Sequence, residues 1–471
     1  MARRFQQTPD TYARRHPGVS QACCLASNTR LPPSMPTYGG GKIDVVFEFL
    51  RGVCTVIRSL VAFRQTAWSS FAATAIITGG LLASGLDAAA GPADTAAIER
   101  IEALGKAGSC SLDKDTGEVT AISVTDGSTI TADDVALFAS LPNLTSLKIL
   151  NCREFNDEMA ASLTELDDLS VLSITNSGIT DDGVQLLADA FPNLRELDLS
   201  SNTNLTGRAM RSITSLEKLE RLTLLQNRFN DLHCRRLSGL PELRALDLRG
   251  NMEVGDMTLR VVGKLPKLSG FKHRSTVVSD RGIEGLAASP SLRAILMQDF
   301  AVSSDCGEQL AALENLTSLE IFRCQGFGNE GVLALSGMPV LDRLTLRDLP
   351  EVSDASMPAL ATMPKLRRLY LHELTSVSDE GLANLADATE LAVLDIWSLP
   401  RVTDASVQVI AGLPKLKELS IRETGVTPEA LDMILGIESL ESLVFKNGDV
   451  PADLAEKVKA DRKWRKLDLG Q

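Results

Sequence analysis

The chain is poor in side chains that do acid–base or metal chemistry near neutral pH. Its four histidines, at 16, 233, 273 and 372, stand far apart, and imidazole is the one side chain that ordinarily titrates there. No HExxH, GxSxG, GxGxxG or CxxC motif occurs, so the spacings that build a zinc site, a nucleophile elbow, a dinucleotide turn or a redox pair are missing. Eight cysteines, at 23, 24, 54, 110, 152, 234, 306 and 324, match no zinc or disulfide framework. Those of the repeat region read as small buried hydrophobes, and a Cys110–Cys152 bridge is compatible with an exported chain. GGGK at 39–42 lacks the GxxxxGK[ST] frame of a phosphate loop. Asp113, Asp115 and Gly117 resemble the start of a calcium loop, but the glycine is one place early and the twelfth position is Val124. A hairpin turn is the expectation there. His273 takes a core position with no second ligand at coordinating distance in sequence. The chain is therefore expected to be non-enzymatic, with no catalytic residue, cofactor or metal; residues 1–118 are too short and irregular to hide a catalytic domain.

Side chains suited to recognition are better organised. Phe322, Arg347, His372, Trp397 and Arg422 recur at intervals of 25 residues, and Tyr370 and Asp395 stand two places before His372 and Trp397. Only three Trp and three Tyr exist in 471 residues, and one of each falls here. Aromatics and Arg dominate interface hot spots, because they bury much area at little entropic cost.

The spacing comes from a repeat. The signature LxxLxL appears as LTSLKI from Leu144, LRELDL from Leu194, LTSLEI from Leu316, LRRLYL from Leu366 and LAVLDI from Leu391. Fifteen copies, the first from Val119 and the last from Trp464, begin 24 or 25 residues apart. Alternation predicts a strand with positions 4 and 6 in the core and positions 3, 5 and 7 outward. After each strand, starts such as Thr180-Asp181, Ser279-Asp280, Ser378-Asp379 and Thr403-Asp404 predict a capped helix, with Asp favoured at its positive end. Leu-Pro or Met-Pro pairs, as at Leu240-Pro241 and Met363-Pro364, end it. One unit cannot bury its apolar side chains alone; fixing its backbone costs about 1–2 kcal/mol per residue, and each large apolar side chain returns about 1.5–3 kcal/mol only when buried. Stacking supplies the burial. The expected fold is an α/β solenoid, horseshoe-like, with one parallel strand and one helix per 24–25-residue repeat, strands inside.

Outside the array, residues 1–64 read as a basic disordered leader carrying about +6, which leaves about −19 for the remainder of a chain of net charge −13. So acidic a body repels phosphate, and nucleic acid is not expected as a partner. Residues 65–86 carry no charge; Arg51, Arg58 and Arg64 precede them and Ala88-Ala89-Ala90 follows. A basic flank, an apolar centre and a small-residue site are the parts of an export signal, and residues 65–90 read as such a signal or as a membrane anchor. Residues 91–118 form an amino-terminal cap, and 119–471 the repeat domain.

The repeats resemble leucine-rich repeats of the cysteine-containing type, as in the receptor part of F-box proteins, and secreted bacterial leucine-rich-repeat proteins. Cys152 and Cys324 occupy position 9, where that type favours Cys, while Asn202, Asn227 and Asn251 hold it in other repeats; most other copies depart, with Leu349, Leu374 and Leu399 among them. No F-box precedes the array. The resemblance implies a scaffold that binds a protein on its concave face; the aromatic and Arg residues above are the expected contacts, and the small polar residues upstream (Thr175, Ser200, Thr223) put any hot spot beyond residue 320. Secretion or residence in the cell envelope is expected, or the cytoplasm if residues 65–86 are not a signal. Two further readings are a structural or adhesive envelope component that binds glycan or itself, and an F-box-like substrate adaptor.

Overall fold

The computed structural model of the protein describes residues 91–470. The leader, the GGGK segment and the uncharged run at 65–86 lie outside the described residues. Among those described, no helix is long and apolar enough to cross a membrane.

A single sheet of 16 strands follows strict chain order. Helix α1 (Pro92–Ala103) precedes β1 (Gly108–Leu112), which pairs antiparallel with β2 (Val119–Val124). Every later pairing is parallel: β3 (Ser146–Ile149), β4 (Val171–Ile174), β5 (Glu196–Asp198), β6 (Arg221–Thr223) and β7 (Ala245–Asp247). Then come β8 (Gly270–Arg274), β9 (Ala294–Gln298), β10 (Ser318–Phe322), β11 (Arg343–Arg347) and β12 (Arg368–His372). The series ends with β13 (Val393–Trp397), β14 (Glu418–Arg422), β15 (Ser442–Lys446) and β16 (Lys466–Asp468). Strands β2 to β16 are the fifteen LxxLxL copies, joined by short helices that mix α and 3₁₀ turns. Positions 4 and 6 are buried in one continuous core, as with Leu319 and Ile321 or Leu369 and Leu371, while positions 3 and 5 are mostly half-buried on the open face.

The turn expected at 113–117 is a hairpin: the Asp113 side chain accepts from the N–H groups of Asp115 and Thr116, both at 2.9 Å. Its cap is tied to the array by Asp94, which is buried and accepts from Val119 N–H at 2.7 Å, and by Arg100, paired with Asp134 at 2.6 Å. Cys110 and Cys152 are both free, so the bridge between them does not form. Cys110 lies half-buried opposite Ile122, while Cys152 is wholly buried beyond the end of β3. Cys234 and Cys324 are likewise core thiols, pushed up to about 12 by burial.

The helix-start Asp residues do more than favour a helix dipole. Thr180, Ser378 and Thr403 cap their own helices as expected, but Ser279 and Ser353 make no such bond. Instead, each Asp reaches back-to-front across the stack to the cap of the next repeat. Asp256 accepts from Ser279 N–H and hydroxyl at 2.7 and 2.6 Å, Asp354 from those of Ser378 at 2.7 and 2.6 Å, and Asp379 from those of Thr403 at 2.8 and 2.7 Å. Asp157, Asp280 and Asp404 do the same for Thr180, Ser303 and Thr427. Two charge-assisted bonds thus clamp each of these neighbours on the helical side, while Ser353 is held by the neutral amide of Asn329.

A second series of side-chain bonds changes along the chain. Asn202, Asn227 and Asn251 donate to the position-6 carbonyls of the preceding repeats, Ile174, Leu199 and Leu224, at 2.7, 3.0 and 2.7 Å. That occupies the carbonyl to which the next strand's position-7 N–H would bond. The displaced N–H groups turn to side chains: Ser200 to Asp198 at 2.9 Å, Leu225 to the Ser200 hydroxyl at 3.1 Å, and Arg249 to Asp247 at 3.2 Å. Strands β5 to β7 are consequently three residues long. From β8 to β15 no asparagine holds position 9, and every strand runs five residues. His273 stands at the junction. It is fully buried in position 6, its Nδ1 lies 3.1 Å from the Leu248 carbonyl, and its Nε2 lies 3.0 Å from that of Val254.

Candidate functional site

Parallel register converts the 25-residue spacing into physical contact. Phe322, Arg347, His372, Trp397 and Arg422 are successive partners across β10 to β14, and Thr345, Tyr370 and Asp395 form the adjoining row. All seven residues singled out in the sequence therefore fall in one patch of the open face.

Within it the rings and guanidinium groups interlock. The Arg347 guanidinium lies over both Phe322, at 4.4 Å from the ring centre, and Trp397, at 4.9 Å. Arg422 lies over Trp397 at 5.4 Å and Arg343 over Tyr370 at 5.6 Å, while Arg323 covers Phe322 at 4.7 Å. Each such stack contributes about 0.5–2 kcal/mol, more where water is excluded. His372 meets Tyr370 and Trp397 edge-on, with ring centres 6.1 and 5.6 Å away. Carboxylates fix the other edges of the cations: Arg347 bonds Glu373 at 3.0 Å, and Arg422 bonds Asp395 at 2.9 and 3.0 Å. Asp395 also lies 3.5 Å from His372 Nε2. Burial raises the Asp395 carboxyl pKa, but His372 and Arg422 outweigh it and hold the group below the ordinary carboxylate range. Burial pushes the Tyr370 phenol up.

The seven residues are not equally accessible. Phe322, Tyr370 and Trp397 are half-buried, whereas His372 is 8% exposed, covered by its ring neighbours. Arg347 and Arg422 keep only 19% and 17% of their side-chain surface. His372 is thus the covered member of the patch, and the rings and guanidinium groups share the half-buried surface above it.

The charged surface also extends beyond the residues foreseen. Asp247, Lys272 and Glu320 share the position-5 row upstream, with Arg249 at position 7 beside them. Burial and the nearby Arg249 lower Lys272 to about 8, and burial raises Glu320 despite Lys272, Arg249 and Arg347 around it. An open depression of about 560 Å³ is lined by Arg274, Asp299, Phe300, Arg323 and Gln325. Asp299 bonds both arginines, Arg274 at 2.5 Å and Arg323 at 3.0 Å, and they hold its carboxyl low against the opposing effect of burial. Lys272 and Glu320 hold the same position 5 as Tyr370 and Asp395. Arg323 and Glu373 escape any strand rule. Both follow the strand in left-handed backbone, with φ of 55° and 56°, as do Asp299, Asp348 and Glu423. That turn places a charged rim along the ends of the strands.

No metal-binding group of His, Cys, Asp or Glu occurs among the described residues. What the patch offers chemically is flat apolar area, oriented guanidinium donors and fixed carboxylates, the ingredients of recognition.

Strands added one per 24–25 residues to a single sheet, each with its helix on the far side, define a repeat solenoid. Leucine-rich-repeat sequence models match residues 192–252 and 312–336. The chain is a leucine-rich-repeat protein. Neither match is to an F-box. No curated protein sequence matches the chain. Among solved structures, the yeast Rad7–Elc1 complex contains a chain 16% identical, over 84% of this chain and 96% of that one, with a TM-score of 0.50. An internalin (inlF) from Listeria monocytogenes is 18% identical over 80% of this chain and 95% of its own, with a TM-score of 0.48. TLR13, solved with the RNA ssRNA13, is 20% identical over 70% of this chain and 47% of that one, with a TM-score of 0.49. At these identities the likeness is one of fold.

Proposed function

We propose that the chain is a non-enzymatic scaffold that captures a protein partner on the open face of its sheet, between β10 and β14. One observation carries this reading. Tyr370 and Trp397, with Phe322, lie half-exposed on neighbouring strands over guanidinium groups that fix their orientation. Rings immobilised before contact lose little entropy on binding, so their burial converts into affinity. By contrast, the upstream open face carries small residues such as Thr175 and Ser200. The domain reading that goes with this function is a leader at 1–64, an export signal or anchor at 65–90, a cap at 91–118 and the repeat domain at 119–471. Export with cleavage near Ala90 places the face outside the cytoplasm or at the cell envelope, and Edman sequencing of the mature protein from its native source tests that.

The binding face is tested by capture from native extract, with partners identified by mass spectrometry. Tyr370→Ala combined with Trp397→Ala is expected to lose the captured partner at least tenfold while the circular-dichroism spectrum stays intact. Undiminished capture by a folded double variant contradicts the proposed face. Binding to purified wall glycan, unaffected by protein depletion, points to the adhesive alternative instead.

A further inference from the structure

The chemistry of the docked segment follows from how the patch has spent its own charges. At positions 3, 5 and 7 of β8 to β15 there are seven Lys or Arg against three carboxylates, Glu320, Asp395 and Glu418. The same positions of β2 to β7 carry three of each. A basic strip therefore crosses the open face of a strongly acidic chain, with five of its seven cations held by carboxylates: Arg274 by Asp299, Arg347 by Glu373, Arg368 by Asp342, Arg422 by Asp395 and Lys446 by Asp468. The aromatic faces that would welcome a partner's cation are already taken by the chain's own guanidinium groups: Arg323 and Arg347 over Phe322, Arg347 and Arg422 over Trp397, Arg343 over Tyr370. The same occupancy hinders base stacking, on which single-stranded nucleic acid binding depends. What remains on offer is donor edges. Arg343 has no ion pair among the described residues, and the buried Nε–H of Arg347 has no hydrogen-bond acceptor. A guanidinium stacked on a ring is pre-oriented to present its N–H edge to a carboxylate.

We propose that the segment received on β10 to β14 is an acidic peptide of the protein partner, its carboxylates bonded by Arg343 and Arg347 and its apolar side chains laid against Tyr370 and Trp397. This rests on the binding face proposed above and assigns it a ligand class.

The test uses the full chain and fluorescence anisotropy with three labelled probes: a glutamate–tyrosine copolymer, a lysine–tyrosine copolymer of equal length, and a 20-nucleotide oligouridine. The acidic copolymer is expected to bind at least tenfold more tightly than either other probe, and to weaken at least fivefold in Arg343→Gln. Arg343 is half-buried at the sheet surface, so this variant is expected to fold. Preference for the lysine copolymer or the oligouridine overturns the proposal, as does acidic binding indifferent to Arg343→Gln. If the acidic probe fails while extract capture still depends on Tyr370 and Trp397, the face stands and the acidic ligand class falls.

Discussion

Strands β5 to β7 and strands β10 to β14 are built on one repeat, yet they use their side chains in opposite ways. In the first group Asn202, Asn227 and Asn251 take the position-6 carbonyls, and Asp198, Ser200 and Asp247 are then needed to satisfy backbone N–H groups. In the second group Cys324, Leu349, Leu374 and Leu399 fill the same position with apolar volume, the backbone ladder closes on itself through position 7, and the side chains at positions 5 and 7 are released. Those released positions hold Phe322, Arg347, Tyr370 and Trp397. Backbone self-sufficiency is what makes one stretch of sheet available for contact while the other remains occupied with its own structure.

Exchanging the position-9 residue breaks this comparison most directly. Leu374→Asn puts an amide into a fully buried apolar site whose neighbouring carbonyls already accept from the ladder. A loss of about 3–5 kcal/mol is expected, from lost burial plus an unsatisfied polar group. Asn202→Leu removes a side chain that accepts from Ser177 and donates to Ile174, with an expected loss of about 2–3 kcal/mol. Urea unfolding at fixed pH measures both, and equal tolerance of the two swaps contradicts the division into halves.

The Asp clamp should not distinguish the halves. Asp157→Ala and Asp379→Ala each strip bonds from the next repeat's cap, and each is expected to cost about 1–3 kcal/mol. Costs that differ several-fold between the two positions mean that the clamp is not the shared element described here.

At the junction, His273 gives a smaller, pH-dependent effect. Burial lowers its pKa, in spite of the two carbonyls around it. Below about pH 6.5, where the unfolded imidazole takes up a proton, the folded ring resists protonation, so stability is full above that pH and falls as the pH drops through it. In His273→Leu the thermal midpoint should fall less between pH 7 and pH 5 than in the parent protein. Parallel pH profiles remove His273 from the account.

Much of this architecture is legible in the sequence because the repeat is periodic. The fifteen LxxLxL copies, the core positions 4 and 6, and the row of aromatics and Arg at position 7 follow from counting. Bonds between repeats do not. The Asp at each helix start reads as a local dipole residue, although its oxygens bond a cap 23 to 25 residues away. Asn202 reads as a marker of repeat type, and nothing local says that it cuts the strand short. His372 reads as outward-facing, and only the three-dimensional neighbours Tyr370, Asp395 and Trp397 reveal that it is covered.

The central claim, that the released half of the open face holds the partner, is tested most directly by site-specific photo-crosslinking in native extract. A benzophenone amino acid is placed in the full chain at Ser420 on β14, at Thr175 upstream on the same face, or at Gln408 on the exposed helical side. The account predicts one partner band from position 420 and none from 175 or 408. A band from 175 or 408 with none from 420 contradicts it.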